Sequence, residues 1–154
     1  MSTRRDALVT ALERQSRIQV LATVMNMQVI ATQAGINMTD VQCLNLLTLE
    51  GPMTPSQIAQ AMAMSKGGAI TAMIDRLEKA GYLRRTPDPH DRRKVLVEAE
   101  IDGEPLRRLA DLFTPIGAGF TDVAADYTDD QLEVVVDYLT RNNETFITQL
   151  AELA

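Results

Sequence analysis

The sequence has no tryptophan, three phenylalanines, three tyrosines, one histidine and one cysteine. Each scarcity excludes something. With aromatics at 4%, the core must rest on aliphatic side chains and methionine, which favours helices over a sandwich or barrel. A single cysteine, Cys43, rules out an internal disulfide and any need for an oxidising compartment. It lies in the apolar stretch Val41 to Leu49, where a free thiol packs as a small hydrophobe; a redox-sensing thiolate needs exposure and a nearby positive charge. His90 has no cysteine or carboxylate partners at ligand spacing, so neither a metal site nor a cofactor is expected. No nucleophile–base–orienter set or phosphate loop is present, which argues against an enzyme. No run approaches the roughly 20 apolar residues that cross a bilayer, and the N-terminus lacks an apolar core with a cleavage site. The expectation is a cytoplasmic protein with no membrane partner.

The 154 residues match one folding unit, and a net charge of −6 at first argues against nucleic acid. The charge is unevenly spread. Met1 to Glu50 carries four basic and four acidic residues, Gly51 to Val97 eight and four, and Glu98 to Ala154 three and thirteen. The middle alone is basic, and with a Debye length of about 8 Å at physiological salt, local charge decides what it attracts.

Helical spacing of Leu8, Leu12, Val20 and Val24, without Gly or Pro, predicts one long helix over 6–34, stopped by Gly35. Thr39-Asp40-Val41-Gln42 has capping-box spacing and predicts a second helix to about Leu49, ended by Gly51-Pro52. Thr54-Pro55-Ser56-Gln57 repeats that logic for a short third helix to about Ala63. Ser65 is placed to cap a fourth, whose Ile70, Met73, Ile74 and Leu77 share a face and which Gly81 closes. Tyr82 to Thr86, a turn from Pro87 to Asp91, and Arg92 to Val97 predict a two-stranded hairpin. Two further helices follow: 104–127, which Pro115, Gly117 and Gly119 should kink or soften, and one opened by a third box at Thr128-Asp129-Asp130-Gln131.

Three helices with a very short gap between the last two, then a hairpin, make a mainly α winged helix-turn-helix: a three-helix core plus a two-stranded β-wing. In such a unit the later helix enters the major groove and the hairpin reaches the adjacent minor groove. Gly67 and Gly68 each carry a helix penalty of about 1 kcal/mol relative to Ala, which close approach of the helix terminus to a phosphate or base edge would offset. Simple flexibility at a capped terminus also accounts for them.

Two stretches carry a sharper signal. Asp88-Pro89-His90-Asp91-Arg92-Arg93 resembles the wing of the MarR family, and Ser65-Lys66-Gly67 through Asp75-Arg76-Leu77-Glu78-Lys79-Ala80-Gly81 resembles its recognition helix. The resemblance implies that Arg93 enters the minor groove, that Asp91 orients it, and that Arg92 and Lys94 neighbour phosphates. It makes Ser65, Lys66, Gly67, Gly68, Thr71 and Arg76 the candidate recognition-helix contacts. Gly67, Gly68, Ala69 and Ala72 offer only backbone or apolar contact, so sequence discrimination rests on Lys66, Thr71, Arg76 and DNA shape.

The resulting division is a single domain over 1–154, with a DNA-binding region over 38–100 and dimerisation helices over 1–35 and 103–154. The resemblance further implies a homodimer on a pseudo-palindromic operator in double-stranded DNA, repression, and release by a small aromatic or phenolic effector. Met25, Met27, Met38 and Met53 could line an effector pocket or simply fill the core. A winged helix turned protein-interaction module is the rival reading.

Overall fold

The computed structural model describes residues 3–64 and 68–153. Helix α1 (Arg4–Ala34) begins two residues earlier than its apolar spacing predicts, because the Thr3 hydroxyl accepts from the Asp6 N–H while the Asp6 carboxylate accepts from the Thr3 N–H. Gly35, at φ 67°, turns the chain out of it. Helix α2 (Met38–Glu50) does not use the box at Thr39. The Asp40 carboxylate reaches back to the Asn37 N–H at 3.0 Å, so the cap is Asn37. Helix α3 (Pro55–Ala61) keeps the expected box: Thr54 and Gln57 exchange backbone and side-chain bonds, and Pro55 fills the first position.

Helix α4 (Gly68–Lys79) buries Ile70, Met73, Ile74 and Leu77, the predicted stripe. It ends in a Schellman motif: the Tyr82 N–H donates to the Leu77 carbonyl and the Gly81 N–H to that of Glu78, with Gly81 at φ 79°. Strands β1 (Leu83–Pro87) and β2 (Val95–Ala99) pair antiparallel, Leu83 opposite Ala99 and Pro87 opposite Val95. The hairpin therefore differs from its expected form. Pro87 ends a strand, where its missing N–H is tolerated, and Arg92, Arg93 and Lys94 belong to the loop. Met53 adds a further rung, its N–H and carbonyl exchanging bonds with Val97 at 3.0 and 2.8 Å, which ties the α2–α3 turn to the wing.

Helix α5 (Glu104–Ala124) continues through Pro115, and α6 (Asp129–Leu153) opens on the expected Thr128–Gln131 box. The buried core gathers Val41, Leu44 and Leu47 of α2, Ile58 of α3, the α4 stripe, Leu83 and Val97 of the sheet, and Leu106 and Leu109 of α5. Each fully buried aliphatic side chain contributes about 1.5–3 kcal/mol. The architecture is thus mainly helical with a two-stranded wing, as the element order predicted. Among the described residues no helix is long and apolar enough to cross a membrane.

Candidate nucleic-acid interface

The wing loop is organised by two aspartates. The Asp88 carboxylate accepts from the N–H groups of His90 at 2.8 Å and Asp91 at 3.3 Å, the Asx geometry expected of Asp before Pro. The Lys94 N–H donates to the Asp91 carbonyl at 2.8 Å and closes the turn. Asp91 then takes Arg93 three times: its Oδ1 accepts from the Arg93 N–H at 3.1 Å and from Nε at 3.2 Å, and its Oδ2 from Nη2 at 3.5 Å. Arg93 remains 91% exposed, so the pair aims the guanidinium without burying it. The Arg93 side chain, then its backbone N–H, holds the Asp91 carboxyl below its ordinary range. Arg92 and Lys94 are exposed and have no ion-pair partner among the described residues.

On α4 the outward face carries Gly68, Ala69, Thr71, Ala72, Asp75, Arg76 and Lys79. A Cβ added at Gly68 would meet nothing within 4 Å, so no internal packing demands glycine there. Ser65, Lys66 and Gly67 lie outside the described residues. Thr71 is exposed, whereas Arg76 is committed elsewhere: its Nη2 and Nε donate to the two oxygens of Asp40 at 2.5 and 3.2 Å. That bond raises the Arg76 guanidinium pKa, and the carboxylate it meets is 1% exposed.

Sequence reasoning missed a second set of pairs. Arg85 of β1 bonds Asp75 at 2.5 Å and also Glu78, fastening the wing to α4. Arg84 bonds Glu98 at 2.8 Å and Glu100 at 3.4 Å. The hairpin register, which sets Arg84 opposite Glu98, was the signal that could have found the latter. Arg76, Arg84 and Arg85 are thus paired with carboxylates, as Arg93 is with Asp91, whereas Lys79, Arg92 and Lys94 are exposed with no ion-pair partner among the described residues. By contrast α6 exposes Asp129, Asp130, Glu133, Asp137 and Glu144.

The geometry matches known proteins in both pattern and shape. The MarR family pattern covers residues 36–95, from the α2 cap to the start of β2. The uncharacterized HTH-type transcriptional regulator YcgE of Bacillus subtilis is 32% identical over 131 residues, 85% of this chain and 83% of that protein. A MarR family protein from Bacillus stearothermophilus superposes with TM-score 0.64 at 22% identity, over 96% of this chain and 99% of that one. Wild-type MarR from E. coli does so with TM-score 0.57 at 20% identity, over 85% and 94%. A winged helix braced at α2 and β1, an arginine held out at the wing tip and a relative matched along most of both chains converge on one assignment: the chain belongs to the MarR family of DNA-binding transcriptional regulators, which are not enzymes.

Proposed function

We propose that the chain binds a pseudo-palindromic operator as a homodimer and represses transcription from it in the cytoplasm. The observation that carries this reading is the Asp91–Arg93 pair at the exposed wing tip. In it Arg93 is the minor-groove probe, Asp91 its orienter, and Arg92 and Lys94 phosphate neighbours; α4 lies in the major groove with Gly68 and Thr71 toward the bases, where its small side chains allow close backbone approach. Ser65, Lys66 and Gly67 complete this contact set. The DNA-binding region spans 38–100.

Residues 1–35 and 103–154 form the dimer arms in this reading. Supporting it, Leu8, Leu21 and Met25 of α1 stand 56–61% exposed, and Phe120, Val123 and Val136 line an apolar cleft of about 570 Å³ between α5 and α6. Surface of that kind in one chain marks an interface. A small aromatic or phenolic acid is the proposed releasing effector. The proposed site is the cavity of about 530 Å³ beside Ile36, Tyr82, Arg108 and Leu112, where a ligand carboxylate would take the place on Arg108 that Glu104, also in the lining, now holds. Selecting bound fragments from a genomic library tests the whole reading: the expected result is a recurring two-fold-symmetric sequence, and salt-insensitive or absent duplex binding would favour a protein-interaction module instead.

A further inference from the structure

Asp40 is the buried charged residue of this fold among the described residues, fully enclosed at the start of α2. Its carboxylate makes three bonds to two places. It caps α2 through the Asn37 N–H, and it takes Arg76 of α4 in a bidentate grip across 36 residues of sequence. The buried face of α4 is otherwise apolar, with Ile70, Met73, Ile74 and Leu77, and its other charged tie, from Asp75 and Glu78 to Arg85, runs to the wing and not to α2. Aliphatic packing is non-directional and tolerates small rotations of a helix about its axis, whereas a two-point charged bond fixes an angle. The outward first turn proposed to meet DNA holds Gly68, Ala69, Thr71 and Ala72, all small, and none of them is bonded to another element among the described residues.

We propose that Asp40 is a positioning residue for DNA recognition, setting the angle of α4 against α2 through its bidentate bond to Arg76. Arg76 is then an anchor and not a base reader. Because Asn37 lies two residues after the Gly35 turn, the same carboxylate joins the α1–α2 junction to the recognition helix, so a displacement at the end of α1 is passed to the reading surface. This rests on α4 being the helix that reads the operator.

The test compares the full-length parent, Asp40→Asn, Arg76→Lys and the double variant on the selected operator duplex and on a scrambled duplex of equal length, with thermal unfolding of each. Each single change is expected to lower operator affinity about tenfold while scrambled binding moves by less than about twofold, and the double variant to lose no more than the worse single. Operator and scrambled affinities falling together, in step with melting temperature, would reduce Asp40 to a stability element and overturn the proposal. So would a parent-like Asp40→Asn beside an operator-defective Arg76→Lys, since Arg76 would then read DNA itself. If Asp40→Asn does not fold, Arg76→Lys, half exposed and keeping its charge, decides the matter: undiminished operator preference overturns the proposal. A parent that prefers no duplex overturns the operator reading itself, and this positioning role with it; failure in the variants alone leaves that reading standing.

Discussion

Asp91 and Arg93 are bonded through both side chain and backbone, with one residue between them and 91% of the arginine side chain still open to solvent. A surface pair of this kind adds little to stability. Its effect is to preset the direction in which a long, rotamer-rich side chain points.

That geometry separates two kinds of loss. Arg93→Ala is expected to weaken operator binding about ten- to hundredfold per affected site, the scale of one base-level contact. Asp91→Ala should lose less, and the two together less than their sum, because they act as one unit. Lys94→Ala should weaken operator and random duplexes alike and reduce the salt slope by about one per half-site. Titrations of labelled duplexes at several salt concentrations measure all three, and an Arg93→Ala protein that binds operator like the parent removes the wing from the interface.

The turn between α3 and α4 contains Ala63 at φ 50°, a left-handed conformation that a side chain strains by about 1 kcal/mol. Ala63→Gly relieves the strain at the cost of a more flexible unfolded chain, so the net expectation is a small rise in melting temperature. Differential scanning calorimetry checks the sign. A fall in melting temperature would mean that the Cβ makes contacts worth more than the strain.

Val136 stands 62% exposed on the cleft between α5 and α6. A carboxylate placed in a desolvated interface is strongly unfavourable. Val136→Asp is therefore expected to shift the protein from dimer toward monomer in sedimentation at micromolar concentration and to lower operator affinity with it. A dimer unaffected by this change and by removal of residues 129–154 would place the interface elsewhere.

Burial, and after it the neighbouring Asp40 charge, push the Cys43 thiol up to about 11. An unfolded thiol titrates near 8.5, so the native state holds its proton where the unfolded chain has released it. The thiol's contribution to stability is then complete below about pH 8.5 and is lost as pH rises through about 11. Relative to Cys43→Ser, the parent should lose extra melting temperature across that alkaline window and none below it. At pH 8 native Cys43 should resist alkylation, and Cys43→Ser should retain DNA binding; peroxide-driven release from DNA that vanishes in the variant would contradict this.

Much of the fold was legible because its signals are local. The Ile70–Leu77 stripe, the boxes at Thr54 and Thr128 and the glycines at 35 and 81 each act within a few residues of themselves, and the structure uses them as the spacing predicts. What escaped was decided across the chain. Thr39 and Asn37 are both competent caps, and the structure uses Asn37, whose N–H donates to the same Asp40 carboxylate that holds Arg76 from 36 residues downstream. Arg92 to Lys94 look like a strand by their flank of valines, yet Asp88 and Asp91 hold them in a turn. Arg76 reads as an available cation until its partner from 36 residues upstream is in view.

The three cations and thirteen carboxylates beyond Val97, five of the latter exposed along α6, act before any complex exists. A duplex diffusing toward the molecule is repelled where it nears that acidic helix and drawn in where it nears Arg92, Arg93 and Lys94, each within a Debye length of about 8 Å. Landings are thereby sorted by orientation. With the wing and α4 as the proposed reading face, the acidity that seemed to argue against nucleic acid becomes a filter on encounters, one that governs how often that face arrives first.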